Sequence, residues 1–158
     1  MLVSIKKILG SMAFIGFLAC FGVAEAQSCP DWSGTNQMIS RSSDDLYSAD
    51  RFEIVSGGSV YLTACSSVPG VGHVAETADL TLDFTNRSGH QLTFRVESSC
   101  DTTLLINTPD TDWIFDDDGG DNVSPYVAIN KATSGVYDIW VGSFEDDYCS
   151  STLIIETF

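Results

Sequence analysis

Basic residues are scarce in this chain: seven Lys and Arg stand against 22 Asp and Glu, a formal net charge of −15. So acidic a surface repels phosphate backbones and anionic headgroups, which argues against nucleic acid and anionic membranes as partners and favours cations and basic protein surfaces. Helical periodicity is also missing from residue 27 onward, where apolar residues alternate with polar ones instead. The longest uncharged apolar run, residues 8–23, falls short of the roughly 20 residues a membrane span needs. It follows Lys6 and Lys7 and ends at Ala24-Glu25-Ala26, small residues of the kind a signal peptidase reads, so residues 1–26 are predicted to be a secretory signal peptide. Its removal takes two lysines and one glutamate, leaves no transmembrane segment and moves the charge to −16. Residues 27–158 then form a single domain, secreted or periplasmic.

Catalytic signatures are thin as well. The only histidines, His73 and His90, lie in V-G-H-V and S-G-H-Q, and no G-x-S-x-G or G-D-S-G-G motif supplies a nucleophile for a Ser-His-Asp site. No C-x-x-C pair exists, so a cysteine-based zinc site is not expected. Four cysteines remain after export, Cys29, Cys65, Cys100 and Cys149, and an even count in an oxidising compartment reads as disulfides. Three pairings are open. Cys29–Cys65 with Cys100–Cys149 is preferred, because Cys100 and Cys149 each precede an apolar run and would join the ends of neighbouring strands.

What the chain does contain is alternation. Residues 27–50 show no period and read as a covering segment pinned by Cys29. R-F-E-I-V and S-V-Y-L-T-A-C, on either side of S-G-G, predict a hairpin, and Leu80, Leu82 and Phe84 followed by Leu92, Phe94 and Val96 across N-R-S-G predict a second pair. Leu104 with Ile106, Trp113 to Phe115, Tyr126 to Ile129, Tyr137 with Ile139 and Val141, and Leu153 with Ile155 continue the series. About nine short strands with polar turns predict an all-β, antiparallel, jelly-roll-like β-sandwich. On such a strand Trp140 and Asp138 point away from the face of Tyr137, Ile139 and Val141. Trp140 and Trp113 are then candidate ligand contacts, stacking on a sugar or a partner protein, unless the second face of the sheet is covered.

Asp116, Asp117, Asp118 and Asp121 crowd around Gly119 and Gly120, with Asn122, Asp112 and Asp110 close in sequence. Carboxylates packed this way repel one another, and Ca²⁺, which takes six to eight oxygens in flexible geometry, would offset the cost. The spacing is not that of an EF-hand, since Val127 stands where its bidentate Glu belongs. The competing reading is a solvated turn in which the Asp side chains serve backbone N–H groups. Glu145, Asp146 and Asp147 form a second acidic turn.

From about residue 78 to 158 the chain resembles the bacterial pre-peptidase C-terminal domain. The resemblance is carried by D-L-T-L-D-F, G-H-Q-L-T-F-R-V, D-T-T-L at 101–104, D-D-D-G-G at 116–120, S-P-Y at 124–126 and S-G-V-Y-D-I-W-V-G at 134–142. It spans about half of the 158 residues. It implies a jelly-roll-like sandwich acting as an accessory module rather than an enzyme, stiffened by calcium in some relatives. The expectation is therefore a secreted, non-catalytic binding or accessory module, calcium-stabilised through Asp112, Asp116, Asp117, Asp118, Asp121 and Asn122, with an extracellular or periplasmic protein or polysaccharide as partner. The alternatives are a small peptidase-associated hydrolase and an adhesin or inhibitor.

Overall fold

The computed structural model describes residues 28–158 apart from Ser88, so the expected signal peptide lies outside the described residues. Among them, no helix is long and apolar enough to cross a membrane. The strands are β1 (Asp31–Thr35), β2 (Met38–Ser42), β3 (Asp50–Ser56), β4 (Val60–Tyr61), β5 (His73–Val74), β6 (Thr77–Ala78) and β7 (Leu80–Thr85). They continue as β8 (Leu92–Ser98), β9 (Thr102–Asn107), β10 (Trp113–Asp116), β11 (Tyr126–Ile129), β12 (Gly135–Ser143) and β13 (Cys149–Thr157).

Two sheets make the sandwich. One is four-stranded, in the order β11-β8-β13-β3, antiparallel throughout. The other runs β10-β9-β12-β5-β4, with β7 also paired to β12 and β2 paired parallel to β7. Between them lie the inward residues of the alternating runs: Leu80, Leu82 and Phe84, Leu92, Phe94 and Val96, Leu104 and Ile106, Tyr137, Ile139 and Val141, Leu153 and Ile155. Full burial of each such side chain stabilises by about 1.5–3 kcal/mol relative to exposure, and these strands hold the fold.

The alternation identified the faces, but both expected hairpins are absent. β3 pairs with β13 and β4 with β5, so the S-G-G segment carries the chain from one sheet to the other. Gly57 makes this corner at φ 102°, and a Cβ there would sit 2.2 Å from the Asp147 carbonyl oxygen. Likewise β7 lies in one sheet and β8 in the other, and the turn between them crosses the sandwich. Asn86 secures that turn, its amide donating to the carbonyls of His90 and Ala132.

The expected covering segment, described from residue 28 to 50, is not structureless. It supplies β1, paired parallel with β6, and β2 on the free edge of β7. Edge pairing draws on backbone groups and needs only Ile39 against the core, so M-I-S-R-S shows no strong alternation. Among the described residues thirteen strands result rather than about nine, and β4, β5 and β6 are two residues long.

The outer face of the larger sheet carries a second apolar cluster, in which Leu105 and Trp140 pack beneath Val60, Leu62, Val74 and Ala78. Trp140 is 0% exposed, so the expectation that it contacts a ligand is corrected: the segment from β4 to β6 covers it. The Cys29–Cys65 disulfide ties the chain just before β1 to this layer. Cys100–Cys149 ties the β8–β9 connection to the start of β13.

Candidate functional site

Acidic residues from three connections meet near one end of the sandwich. Asp101 opens the D-T-T-L segment just before β9, and its backbone carbonyl accepts the N–H of Phe144 at 3.0 Å. Its carboxyl is held above the usual carboxylate range, first by desolvation and then by the charges of Asp118, Asp117 and Glu145. That electrostatic coupling joins the turn after β10 with the loop between β12 and β13. One oxygen of Asp101, Oδ1, is enclosed without a hydrogen-bond partner.

Asp116 plays a different part from its neighbours. Its Oδ2 accepts the N–H of Gly119 and that of Tyr126, both at 2.8 Å, so this carboxylate builds the turn and anchors the start of β11. Gly119 is needed for that, since a Cβ would lie 2.6 Å from the same oxygen. Asp118, Asp121 and Asn122 are exposed, Asn122 at φ 59°. Asp112 does not join them. It sits before the opposite end of β10, and a four-residue strand advances about 13 Å. Among the described residues, no group of three or more His, Cys, Asp or Glu side chains is placed to hold a metal ion. The sequence places these residues close together, but a strand separates Asp112 from the rest, and Asp116 is committed to backbone donors.

The β12–β13 loop is the second component. Phe144 and Tyr148 are exposed on either side of Glu145, Asp146 and Asp147. Ser143 donates its hydroxyl to Asp147, which fixes the base of the loop. Next to it Tyr61 stacks on His73 with ring centroids 5.0 Å apart, and His73 Nδ1 lies 3.8 Å from Asp146. His90 is elsewhere, its ring nitrogens engaged with the Tyr47 hydroxyl at 2.8 Å and the Phe158 carbonyl at 3.1 Å. Among the described residues no serine hydroxyl is hydrogen-bonded to either histidine, so neither ring is set up as the base of a nucleophilic serine.

Each arginine approaches a carboxylate outside the two acidic turns, although Arg95 also lines a cavity with Asp121 and Asn122. Arg41 binds Asp50 at 2.7 Å, Arg87 approaches Asp44 at 3.7 Å, Arg51 pairs with Glu97 and Arg95 with Glu156. Trp113 is half-buried, its ring 6.0 Å from the exposed Trp32 and 5.4 Å from Trp140.

Sequence reasoning missed Asp79. It immediately precedes β7, is 9% exposed, and is raised to about 7 by desolvation, against which the hydrogen bond from Val141 works. Nothing in T-A-D-L-T-L marks it, because an acid before a strand is ordinarily a solvated turn residue. Asp138, expected to face outward, is also buried. Desolvation raises it, and Thr81 donates to it across the strands at 2.6 Å.

These features define an all-β sandwich with an acidic, aromatic-bearing end. No protein-family model matches the chain, and no curated protein matches it. Solved structures of similar chain path include the pre-peptidase C-terminal domain of a collagenase from Bacillus anthracis, 11% identical over 78% of this chain and 95% of that one, with a TM-score of 0.45. A periplasmic inhibitor of g-type lysozyme from Aeromonas hydrophila is 10% identical over 79% of this chain and 100% of that one, with a TM-score of 0.43.

Proposed function

We propose that the chain is an exported, non-catalytic binding or accessory module of the pre-peptidase C-terminal domain type, and that it binds a basic extracellular or periplasmic protein. The observation that carries this reading is the β12–β13 loop, where exposed Phe144 and Tyr148 bracket three consecutive acids. Aromatic side chains bury large rigid areas at interfaces, and a rim of like charges steers an oppositely charged partner. Among the described residues all four arginines pair with carboxylates outside the loop, so no arginine neutralises Glu145, Asp146 or Asp147. Two disulfides fit an oxidising compartment, and the ordered motifs from 78 to 158 support the family reading.

The test is binding of the immobilised protein to a panel of folded proteins of matched size, half of them basic and half acidic. Saturable binding confined to basic members, weakened by salt and by the substitution Phe144→Ser, supports the proposal. Salt-insensitive binding to acidic members, or hydrolysis of casein lost on replacing His73, overturns it.

A further inference from the structure

A concavity of about 400 Å³ adjoins the Tyr148 end of the same loop, bounded by Glu53 and Val55 of β3, the Asn36–Gln37 turn and Gly57. Asp79 lies in its wall, almost wholly buried. One carboxylate oxygen, Oδ2, accepts the N–H of Val141 at 2.8 Å. The other, Oδ1, accepts no hydrogen bond from the described residues, and Asp79 lines the cleft. Among the described residues no lysine or arginine reaches it: the four arginines hold other carboxylates, and Lys131 lines a different depression beside Asp110.

Val55, Ala75 and Tyr148 line the cleft with apolar surface, and Asn36, Glu53 and Asp79 line it with polar groups. Val55 is 62% and Tyr148 67% exposed, so both offer apolar surface to a ligand at the cleft. Such a channel matches a lysine side chain, which lays its methylene stem on apolar surface and carries a compact charge at the tip. Tyr148 adds the attraction of an aromatic ring for a cation, and Glu53 adds a second negative charge at the rim. A guanidinium is the poorer fit, because the Val141 N–H already takes one lone pair of Asp79 Oδ2, which crowds the two-oxygen grip that a bidentate fork needs.

We infer that this cleft binds a primary alkylammonium group presented by a lysine of a partner protein, with Asp79 as its counter-ion and Val55 and Tyr148 against its stem. The inference rests on the reading that the partner is a basic protein. It is consistent with the environment of Asp79, whose burial leaves the carboxylate short of solvation that an ammonium would supply. The titratable groups facing Asp79 are Glu53 from β3 and Tyr148 from the β12–β13 loop; the Asn36–Gln37 turn, Ala75 and Gly57 bring none.

The test uses Nα-acetyl-lysine amide as the probe and Nα-acetyl-norleucine amide, which has the stem without the amine, as its control. NMR of the purified protein at about pH 8 should show the lysine probe shifting the side-chain resonances of Asp79, Val55 and Tyr148, with the norleucine probe inert. Asp79→Asn retains an acceptor for Val141 and should bind about tenfold more weakly, the scale set by losing a charged hydrogen bond. Lowering the pH through the Asp79 titration should weaken binding in the parent and leave Asp79→Asn unchanged. If Asp79→Asn does not fold, Tyr148→Ala, an exposed wall residue, should weaken binding severalfold. Equal affinity for parent and Asp79→Asn, or shifts confined to Asp117, Asp118 and Glu145, would overturn the site. Basic proteins that bind parent and Asp79→Asn alike refute the cleft and leave the binding-module reading standing. An Asp79-dependent response to the lysine probe without binding of any basic protein supports the ammonium site and overturns the protein partner.

Discussion

A carboxylate oxygen of Asp79 accepts the backbone N–H of Val141 at 2.8 Å, at the point where β12 has parted from β7 and has not yet met β5. The β7 ladder on that edge ends at Leu80 opposite Ile139, and the β5 contact begins at Ser143. Between them, Val141 is served by a side chain on its donor and by the N–H of Gly57 on its acceptor. A sheet that divides needs such substitutes, because an unpaired buried backbone group costs about 1–3 kcal/mol. The same geometry leaves a buried acid beside a cleft.

The pH dependence of stability should carry the mark of Asp79. Its folded value of about 7 lies above the ordinary 3.8, so folding favours the protonated form. The contribution is fully present below the unfolded value and is lost as pH rises through the folded one; each tenfold difference in proton affinity between the two states corresponds to about 1.4 kcal/mol. The melting temperature of the parent minus that of Asp79→Asn should therefore fall between about pH 4 and pH 7 and level off above. A difference that stays flat over that interval would show Asp79 to be ordinarily ionised.

Crowding around Asp101 should be relieved from a distance. Asp118→Asn removes one of the charges that raise its carboxyl and should move the Asp101 midpoint down, but not fully to the ordinary value, because desolvation is the larger cause. A carbon-detected NMR titration of the side-chain carboxyls reads this directly. An unchanged midpoint would separate the two turns electrostatically.

Calcium should act as salt acts. Asp116 already serves two backbone donors, and Asp112 is a strand away from Asp117 and Asp118. Melting curves in calcium chloride, in chelator and in ionic-strength-matched sodium chloride should show no calcium-specific rise. A specific rise abolished by Asp118→Asn would show that this turn binds the ion.

The two disulfides should differ in what their loss releases. Peptide mapping without reduction should recover Cys29 with Cys65 and Cys100 with Cys149, closing separations of 36 and 49 residues. Losing either should cost about 2–5 kcal/mol. Hydrogen exchange after Cys29→Ser with Cys65→Ser should rise first in the covering layer of Val60, Leu62 and Val74. After Cys100→Ser with Cys149→Ser it should rise first at the start of β13.

Trp140→Ala empties the largest fully buried side chain of the protein and should destabilise by about 3–5 kcal/mol, measured by denaturant unfolding. A cost near zero would mean that the outer layer does not hold the ring.

Alternation made the interior readable. Leu80, Leu82 and Phe84 could share a face only as a strand, and they do. Which strand each would pair with was not readable, because sheet membership depends on how a turn directs the chain. Ser56-Gly57-Gly58 has the composition of a hairpin yet turns a corner between sheets, since the close approach of the Asp147 carbonyl to Gly57 is a long-range fact. Trp140 and Asp138 were placed outward by the same parity that placed Ile139 inward. Parity tells opposite faces apart but not whether the second face is wet, and Leu62 and Val74 arrive there from distant positions. At the acidic turn, nearness in sequence was visible, whereas the bonds from Gly119 and Tyr126 that occupy Asp116 were not.

The chain has three tryptophans, and Trp32, Trp113 and Trp140 form one row with rings 6.0 and 5.4 Å apart, from exposed surface to buried floor. All intrinsic indole emission thus originates in the outer layer, close enough for excitation to pass along the row, while the space between the sheets is mainly Leu, Ile and Val with Phe84, Phe94 and Tyr137, and is nearly dark. A fluorescence trace would time the peeling of that layer and circular dichroism the melting of the sheets, so any gap between the two curves would be a spectroscopic reading of how independently the layer lifts.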